Sequence, residues 1–192
     1  MVMAEATNHY FKHLGVSDGL SQVCIPSIYQ DELGAVWLGT TEGLNRYNGK
    51  DVRVFQPSES NNGLTNNEVN ELCGDKNGRM YIRSGNDLIK LDIYTEQFTC
   101  LRQKGVYGLF CKKDTLWVSC ADGIYYYTGQ GTELTFFARV QKGFVGRALY
   151  VDKETVWVVT RKYLVAISRE DPLRQEILLT LDKGNCILGD RS

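Results

Sequence analysis

Histidine is nearly absent, with His9 and His13 as the two copies, both close to the amino terminus. There is also no H-E-x-x-H, no G-x-S-x-G and no phosphate-binding glycine loop. The residues for zinc-hydrolase, nucleophile-elbow and P-loop chemistry are therefore missing. Acid–base catalysis would fall to carboxylates, tyrosines and arginines, and 23 acidic residues offer too many pairs to single one out. No catalytic residue is assigned and no cofactor is expected. The six cysteines, at 24, 73, 100, 111, 120 and 186, form no C-x-x-C pair and have no metal-type spacing with the histidines. Most of them read as small buried thiols. Charge of either sign is not in excess: 22 basic against 23 acidic residues leave −1, so no net field draws the chain to nucleic acid or an anionic membrane. The longest apolar runs, such as Ile177 to Leu181, are far shorter than the roughly 20 residues of a membrane-spanning helix. The opening Met1-Val2-Met3-Ala4-Glu5-Ala6 lacks the basic and apolar segments of a signal peptide, which fits a cytosolic start or a mature exported chain with an added Met.

Proline is scarce too, with three copies against 19 glycines and 11 tyrosines. Glycine supplies the positive φ of tight turns, and aromatic residues pack well on pleated surfaces, so this balance favours many short strands over long helices. A hydrophobic content of 43% with 23% charged residues is that of a globular domain with a real core.

The strongest signal is an internal repeat. Asp31-Glu32-Leu33-Gly34-Ala35-Val36-Trp37-Leu38-Gly39-Thr40 is answered by Asp75-Lys76-Asn77-Gly78-Arg79-Met80-Tyr81-Ile82-Arg83-Ser84. Shorter versions follow at Lys113-Asp114-Thr115-Leu116-Trp117-Val118-Ser119 and Lys153-Glu154-Thr155-Val156-Trp157-Val158-Val159. The anchors Trp37, Tyr81, Trp117 and Trp157 stand 44, 36 and 40 residues apart, close to the length of one β-propeller blade. Within the first unit the apolar segments Val23 to Tyr29, Ala35 to Thr40, Leu44 to Asn48 and Val52 to Gln56 read as strands a to d. Asn48-Gly49 between c and d predicts a type I′ hairpin turn, and Gly34 and Gly78 predict turns between a and b.

The expected fold is all-β: four four-stranded antiparallel sheets that bury their faces on one another, with the anchor rings as inter-sheet core. The units divide as residues 14–62, 63–105, 106–143 and 144–184. Residues 1–13 are left as an amino-terminal segment whose Tyr10 to Leu14 suits an outer strand of another blade, and 185–192 as the start of a further one. Because Ile177 to Leu181 already fills the outer strand of the fourth unit, the array reads as part of a larger ring. Its raw faces call for further blades or a second copy.

Gly19-Leu20-Ser21-Gln22, Asp31-x-x-Gly34-x-Val36-Trp37-Leu38-Gly39-Thr40 and Gly43-Leu44-Asn45-Arg46-Tyr47-Asn48-Gly49 resemble the two-component regulator propeller repeat. The likeness runs over roughly residues 8 to 184. It is close in the first unit; the third and fourth shorten the turn and lose its glycine. The family forms periplasmic sensor regions of bacterial hybrid two-component systems, typically seven-bladed propellers ahead of a membrane helix and a histidine kinase. The resemblance implies a non-catalytic, homodimeric, periplasmic glycan sensor that regulates transcription through domains outside these residues. A protein-interaction scaffold and a carbohydrate-active hydrolase or lyase are the alternatives.

If a small ligand binds, the b-to-c loops and d-to-a connections share the rim where it would do so. Candidate residues there are Arg83, Asn86, Tyr107, Asp122, Arg161 and Lys162. The cations suit a carboxylate or sulfate, and Tyr107 suits stacking on a sugar ring. The plainer reading of each is a solvated loop residue.

Overall fold

The computed structural model describes residues 13–57, 63–140, 146 and 148–181. After a 3-10 turn at Val16–Asp18, these residues form sixteen strands in four antiparallel sheets, each with its strands in chain order. The first sheet holds β1 (Ser27–Gln30), β2 (Val36–Thr40), β3 (Gly43–Tyr47) and β4 (Val52–Phe55). The second holds β5 (Val69–Gly74), β6 (Arg79–Ser84), β7 (Asp87–Asp92) and β8 (Gln97–Arg102). The third holds β9 (Val106–Lys112), β10 (Thr115–Cys120), β11 (Gly123–Tyr127) and β12 (Thr135–Ala138). The fourth holds β13 (Ala148–Val151), β14 (Thr155–Val159), β15 (Tyr163–Ser168) and β16 (Gln175–Thr180).

Side chains alternate across a strand, so each sheet presents one face forward to the next sheet and one back to the last. Trp37 and Leu44 of the first sheet form one apolar cluster with Val69, Leu72, Met80 and Ile82 of the second. Tyr81 and Leu88 of the second meet Val106, Leu109, Leu116 and Val118 of the third. Trp117 and Ile124 of the third meet Leu149, Val151, Val156 and Val158 of the fourth. The anchor ring of each sheet is thus covered by the sheet that follows it. Trp37 and Tyr81 are fully buried and Trp117 is 5% exposed, whereas Trp157, whose face has no successor among the described residues, is only half-buried. Full burial of one large apolar side chain contributes about 1.5–3 kcal/mol, so these three interfaces carry much of the fold's stability.

The strands β1, β5, β9 and β13 lie side by side in that order. They form the inner edge of an arc, and no comparable packing joins the fourth sheet to the first among the described residues.

Three local expectations need correcting. Strand a of the first unit does not begin at Val23: it begins at Ser27, after Pro26, which has no N–H to give to a ladder. The c-to-d turn is not type I′, because Gly49 takes a positive φ (97°) and Asn48 does not. Instead the Asn48 Oδ1 accepts hydrogen bonds from the backbone N–H groups of Lys50 (2.9 Å) and Asp51 (2.8 Å), closing a four-residue loop with an Asx turn. The cysteines are not mostly buried: Cys24 and Cys100 are exposed, Cys73 and Cys111 are intermediate, and Cys120 is buried. Cys186 and the segment 185–192 lie outside the described residues, as does most of the strand expected at 10–14, whose described members His13 and Leu14 are not in a strand. Gly34 and Gly78 take the positive φ their turns require, 86° and 82°.

Candidate functional site

The a-to-b turns of the first, second and fourth sheets begin with a carboxylate, and in the first and fourth this carboxylate holds the anchor tryptophan. Asp31 is 4% exposed. Its Oδ1 accepts the N–H groups of Leu33 (3.0 Å) and Ala35 (2.8 Å), and its Oδ2 accepts the Trp37 indole N–H at 2.8 Å. Asp152 repeats the arrangement, with Oδ1 on Glu154 and Thr155 and Oδ2 on the Trp157 indole at 2.7 Å. Asp75 holds Asn77 N–H in the same way but gives its other oxygen to the Arg79 guanidinium, because Tyr81 has no indole to offer. The third sheet has Lys112 at this position, and its ammonium donates to the Val151 carbonyl of the fourth sheet at 2.7 Å. Sequence reasoning took the rings as packing alone; the signal for their polar role was the aspartate recurring ahead of them.

At the opposite ends of the sheets, the b-to-c turns and the d-to-a connections are laced together. The Gly43 N–H donates to the Asn67 carbonyl at 2.7 Å and the Gly85 N–H to the Glu68 carbonyl at 2.6 Å. The Val106 N–H donates to Asn86 at 3.0 Å, and the Ala121 N–H to Gly105 at 2.8 Å. Each of these two connections is therefore tied to the turn behind it and the turn ahead of it, which makes one continuous rim along the arc. The Lys104 N–H adds a bond to the Asp87 carboxylate at 2.6 Å.

The residues expected on this rim divide into three groups. Exposed Asn86, half-buried Tyr107 and exposed Asp122 gather around the connection between the second and third sheets. Exposed Arg161 and Lys162 form the turn of the fourth sheet, one place along. Arg83 stands apart: its side chain is buried, with Nε on Glu71 (3.3 Å) and Nη1 on the Gly85 carbonyl (3.1 Å). Both partners belong to the second sheet, so Arg83 ties β5 to its own sheet's turn and its side chain is spent there rather than offered to a ligand on the rim. Burial raises the Glu71 carboxyl above its ordinary value, and the adjacent Arg83 guanidinium opposes that rise.

Asp122 is braced from two sheets, by Arg102 of β8 and by Tyr125 of β11. Its Oδ1 accepts from Arg102 Nη2 at 2.8 Å, its Oδ2 accepts the Tyr125 hydroxyl at 2.8 Å, and the Arg102 guanidinium lies 4.7 Å from the centre of the Tyr125 ring. Partial burial alone would push this carboxyl up, but the bonds from Tyr125 and Arg102 hold it below the usual aspartate value. Arg102 and Tyr125 were not foreseen as site residues: Arg102 reaches Asp122 across the interface between the second and third sheets, and Tyr125, three residues on, was read only as part of a strand. Arg161 and Lys162 have no ion-pair partner among the described residues. The rim therefore carries a fixed anion with unused acceptor capacity beside one aromatic ring and, one sheet further on, two cations that meet no carboxylate among the described residues. Such groups bind hydroxyls and oxyanions.

Elsewhere, a polar cleft of about 250 Å³ is lined by Glu154, Thr155, Ala166, Ser168, Arg174 and Glu176. It lies on the forward face of the fourth sheet, the face whose counterparts are covered by a following sheet. Among the described residues, no group of three His, Cys, Asp or Glu side chains is placed to hold a metal ion, and no helix is long and apolar enough to cross a membrane.

Compared with known proteins, residues 19–42 match the two-component regulator propeller family. A stretch of 53 residues is 38% identical to histidine kinase P4 of Formosa agariphila, covering 28% of this chain and 4% of that protein. The fold is similar to a structure described as the extracellular domain assigned to a hybrid two-component system of B. thetaiotaomicron, with a TM-score of 0.74 at 20% identity over 91% of this chain and 27% of that one. It is also similar to a gluconolactonase of Xanthomonas campestris, with a TM-score of 0.62 at 12% identity over 85% of this chain and 65% of that one. The chain thus spans a small part of the histidine kinase and about a quarter of the two-component system structure. At these identities the structural likenesses establish the propeller fold.

Proposed function

From the premise that this chain carries the two-component regulator propeller repeat, we propose that it is a ligand-recognition segment of an extracellular or periplasmic two-component sensor, and that its ligand is an oligosaccharide bearing an acidic group. The observation that carries this reading is the rim: Asn86, Tyr107, Asp122, Arg161 and Lys162 reach one edge from three consecutive sheets. Asp122 and Asn86 accept and donate to sugar hydroxyls, the Tyr107 ring offers a stacking surface, and Arg161 with Lys162 hold the carboxylate or sulfate. The work of the chain is recognition, not turnover. Transcriptional output passes through domains outside these residues and through a homodimer, and it requires the ligand to prefer one arrangement of the sensor over another, since equal affinity shifts nothing.

A thermal-shift screen with neutral, uronic-acid and sulfated oligosaccharides tests the proposal. A true ligand at 100 times its Kd stabilises by about 2.7 kcal/mol, a rise of roughly 5–10 °C for a chain of this size. Acidic sugars are expected to give the larger rise, and Arg161→Ala with Lys162→Ala to remove that advantage. No shift from any sugar, with calorimetry equally silent, overturns it. Turnover of a sugar during the screen would point to the enzyme instead.

A further inference from the structure

We propose that Cys73 and Cys111 form a disulfide that locks the second sheet to the third. Cys73 lies on β5 and Cys111 on β9, adjacent inner strands, and their Sγ atoms are 2.7 Å apart. Even carbon atoms make van der Waals contact only at about 3.5–4.0 Å, and a disulfide bond closes at about 2.03–2.05 Å. Bond formation therefore needs only a small approach of the two side chains.

The place of the pair in the repeat supports this role. The inner-strand residue opposite each anchor ring is Tyr29, Cys73, Phe110 and Tyr150 in the four sheets. In the first sheet, Tyr29 reaches across to Gly74 of the next inner strand, where an added Cβ would lie 2.2 Å from the tyrosine oxygen. In the third, Phe110 packs edge-on against Tyr150 of the next inner strand at 5.1 Å. In the second sheet the bulky ring is replaced by a thiol, and the neighbouring strand supplies a second thiol to meet it. The gap that rings fill at the other two interfaces is spanned here by sulfur.

The chemistry is a thiol–disulfide exchange. One cysteine, as thiolate, attacks an external disulfide such as oxidised glutathione, releasing one thiol; the second cysteine then attacks the mixed disulfide, forming the Cys73–Cys111 bond and releasing the second thiol. The two cysteines are oxidised by two electrons, the external disulfide is reduced to two thiols, and the two cysteine protons end on them. For a natural oxidant the proposal rests on the extracellular reading above, because oxidising compartments sustain such bonds. Burial raises the Cys73 thiol well above its ordinary value, which disfavours its thiolate in the folded chain. The bond sits toward the ends of β5 and β9 that lead into the a-to-b turns, away from the rim, and would fix the two sheets that present Asn86, Tyr107 and Asp122.

The test is to refold the chain with oxidised and reduced glutathione, alkylate it in denaturant and map its peptides without reductant. Two of the six thiols should escape alkylation, and residues 54–76 should be found joined to 105–112 after trypsin cleavage. The oxidised chain should melt about 5–10 °C above its reduced form. Cys73→Ser and Cys111→Ser, which retain a small polar side chain, should each abolish both results. Six alkylated thiols, or a different pair joined, overturns the proposal. Since the refolding supplies its own oxidant, failure would count against the pair and leave the extracellular reading untouched.

Discussion

At the scale of single residues, the aspartate ahead of the anchor ring does more than turn the chain. Asp31 satisfies two backbone N–H groups and one indole from a site 4% exposed, so truncating it strands the buried Ala35 N–H and Trp37 indole and frees the part-buried Leu33 N–H. Asp31→Ala is expected to cost about 2–4 kcal/mol in urea unfolding. In a Trp37→Phe background, where the indole donor is already gone, the same change should cost measurably less, and strict additivity would show that the indole bond contributes nothing. Asp152 adds a pH dependence. Partial burial would raise its carboxyl, but the Trp157 indole and the N–H groups of Glu154 and Thr155 hold it below the ordinary value of 3.8. A carboxyl lowered in the folded state contributes stability that is present above the unfolded value and lost as pH falls through the folded one. Urea midpoints are therefore expected to decline below about pH 4, and Asp152→Asn to flatten part of that decline.

At the scale of strands and turns, sheet packing makes its own demands. A Cβ at Gly39 would sit 2.8 Å from both the Cγ1 and the carbonyl oxygen of Val69, so β2 and β5 approach as closely as they do only with glycine there. The carbonyl cannot rotate aside. Gly39→Ala is expected to destabilise by about 1–3 kcal/mol, read as a lower urea midpoint with an unchanged slope. Most of this level was legible in the sequence, because turn glycines at 34 and 78 and alternating apolar residues specify strand order directly. What escaped was decided by side chains acting on the backbone. Asn48 closes its loop through Oδ1 and so avoids the positive φ expected of it. Pro26 delays the first strand. Arg83 looked like a rim cation because it stands two residues from a turn, yet its register partner across β5 and β6 is Glu71, and the pair closes on itself.

At the scale of the whole molecule, the repeat foretold the propeller fold, since each ring needs a flat neighbour to cover it. The half-buried Trp157 marks where that rule runs out among the described residues. The rim was foreseen as a place, because turn and connection must meet once the strands are ordered; its inner wiring was not, because Asp122, Arg102 and Tyr125 come from three different strands or turns. The most direct test of the rim as the recognition surface is hydrogen–deuterium exchange with a saturating acidic oligosaccharide identified by the thermal screen. New protection is expected at residues 85–87, 104–107, 121–123 and 160–163, with the opposite turns at 32–34, 76–78 and 153–155 unchanged. Protection confined to those opposite turns, or to the forward face of the fourth sheet, would contradict it.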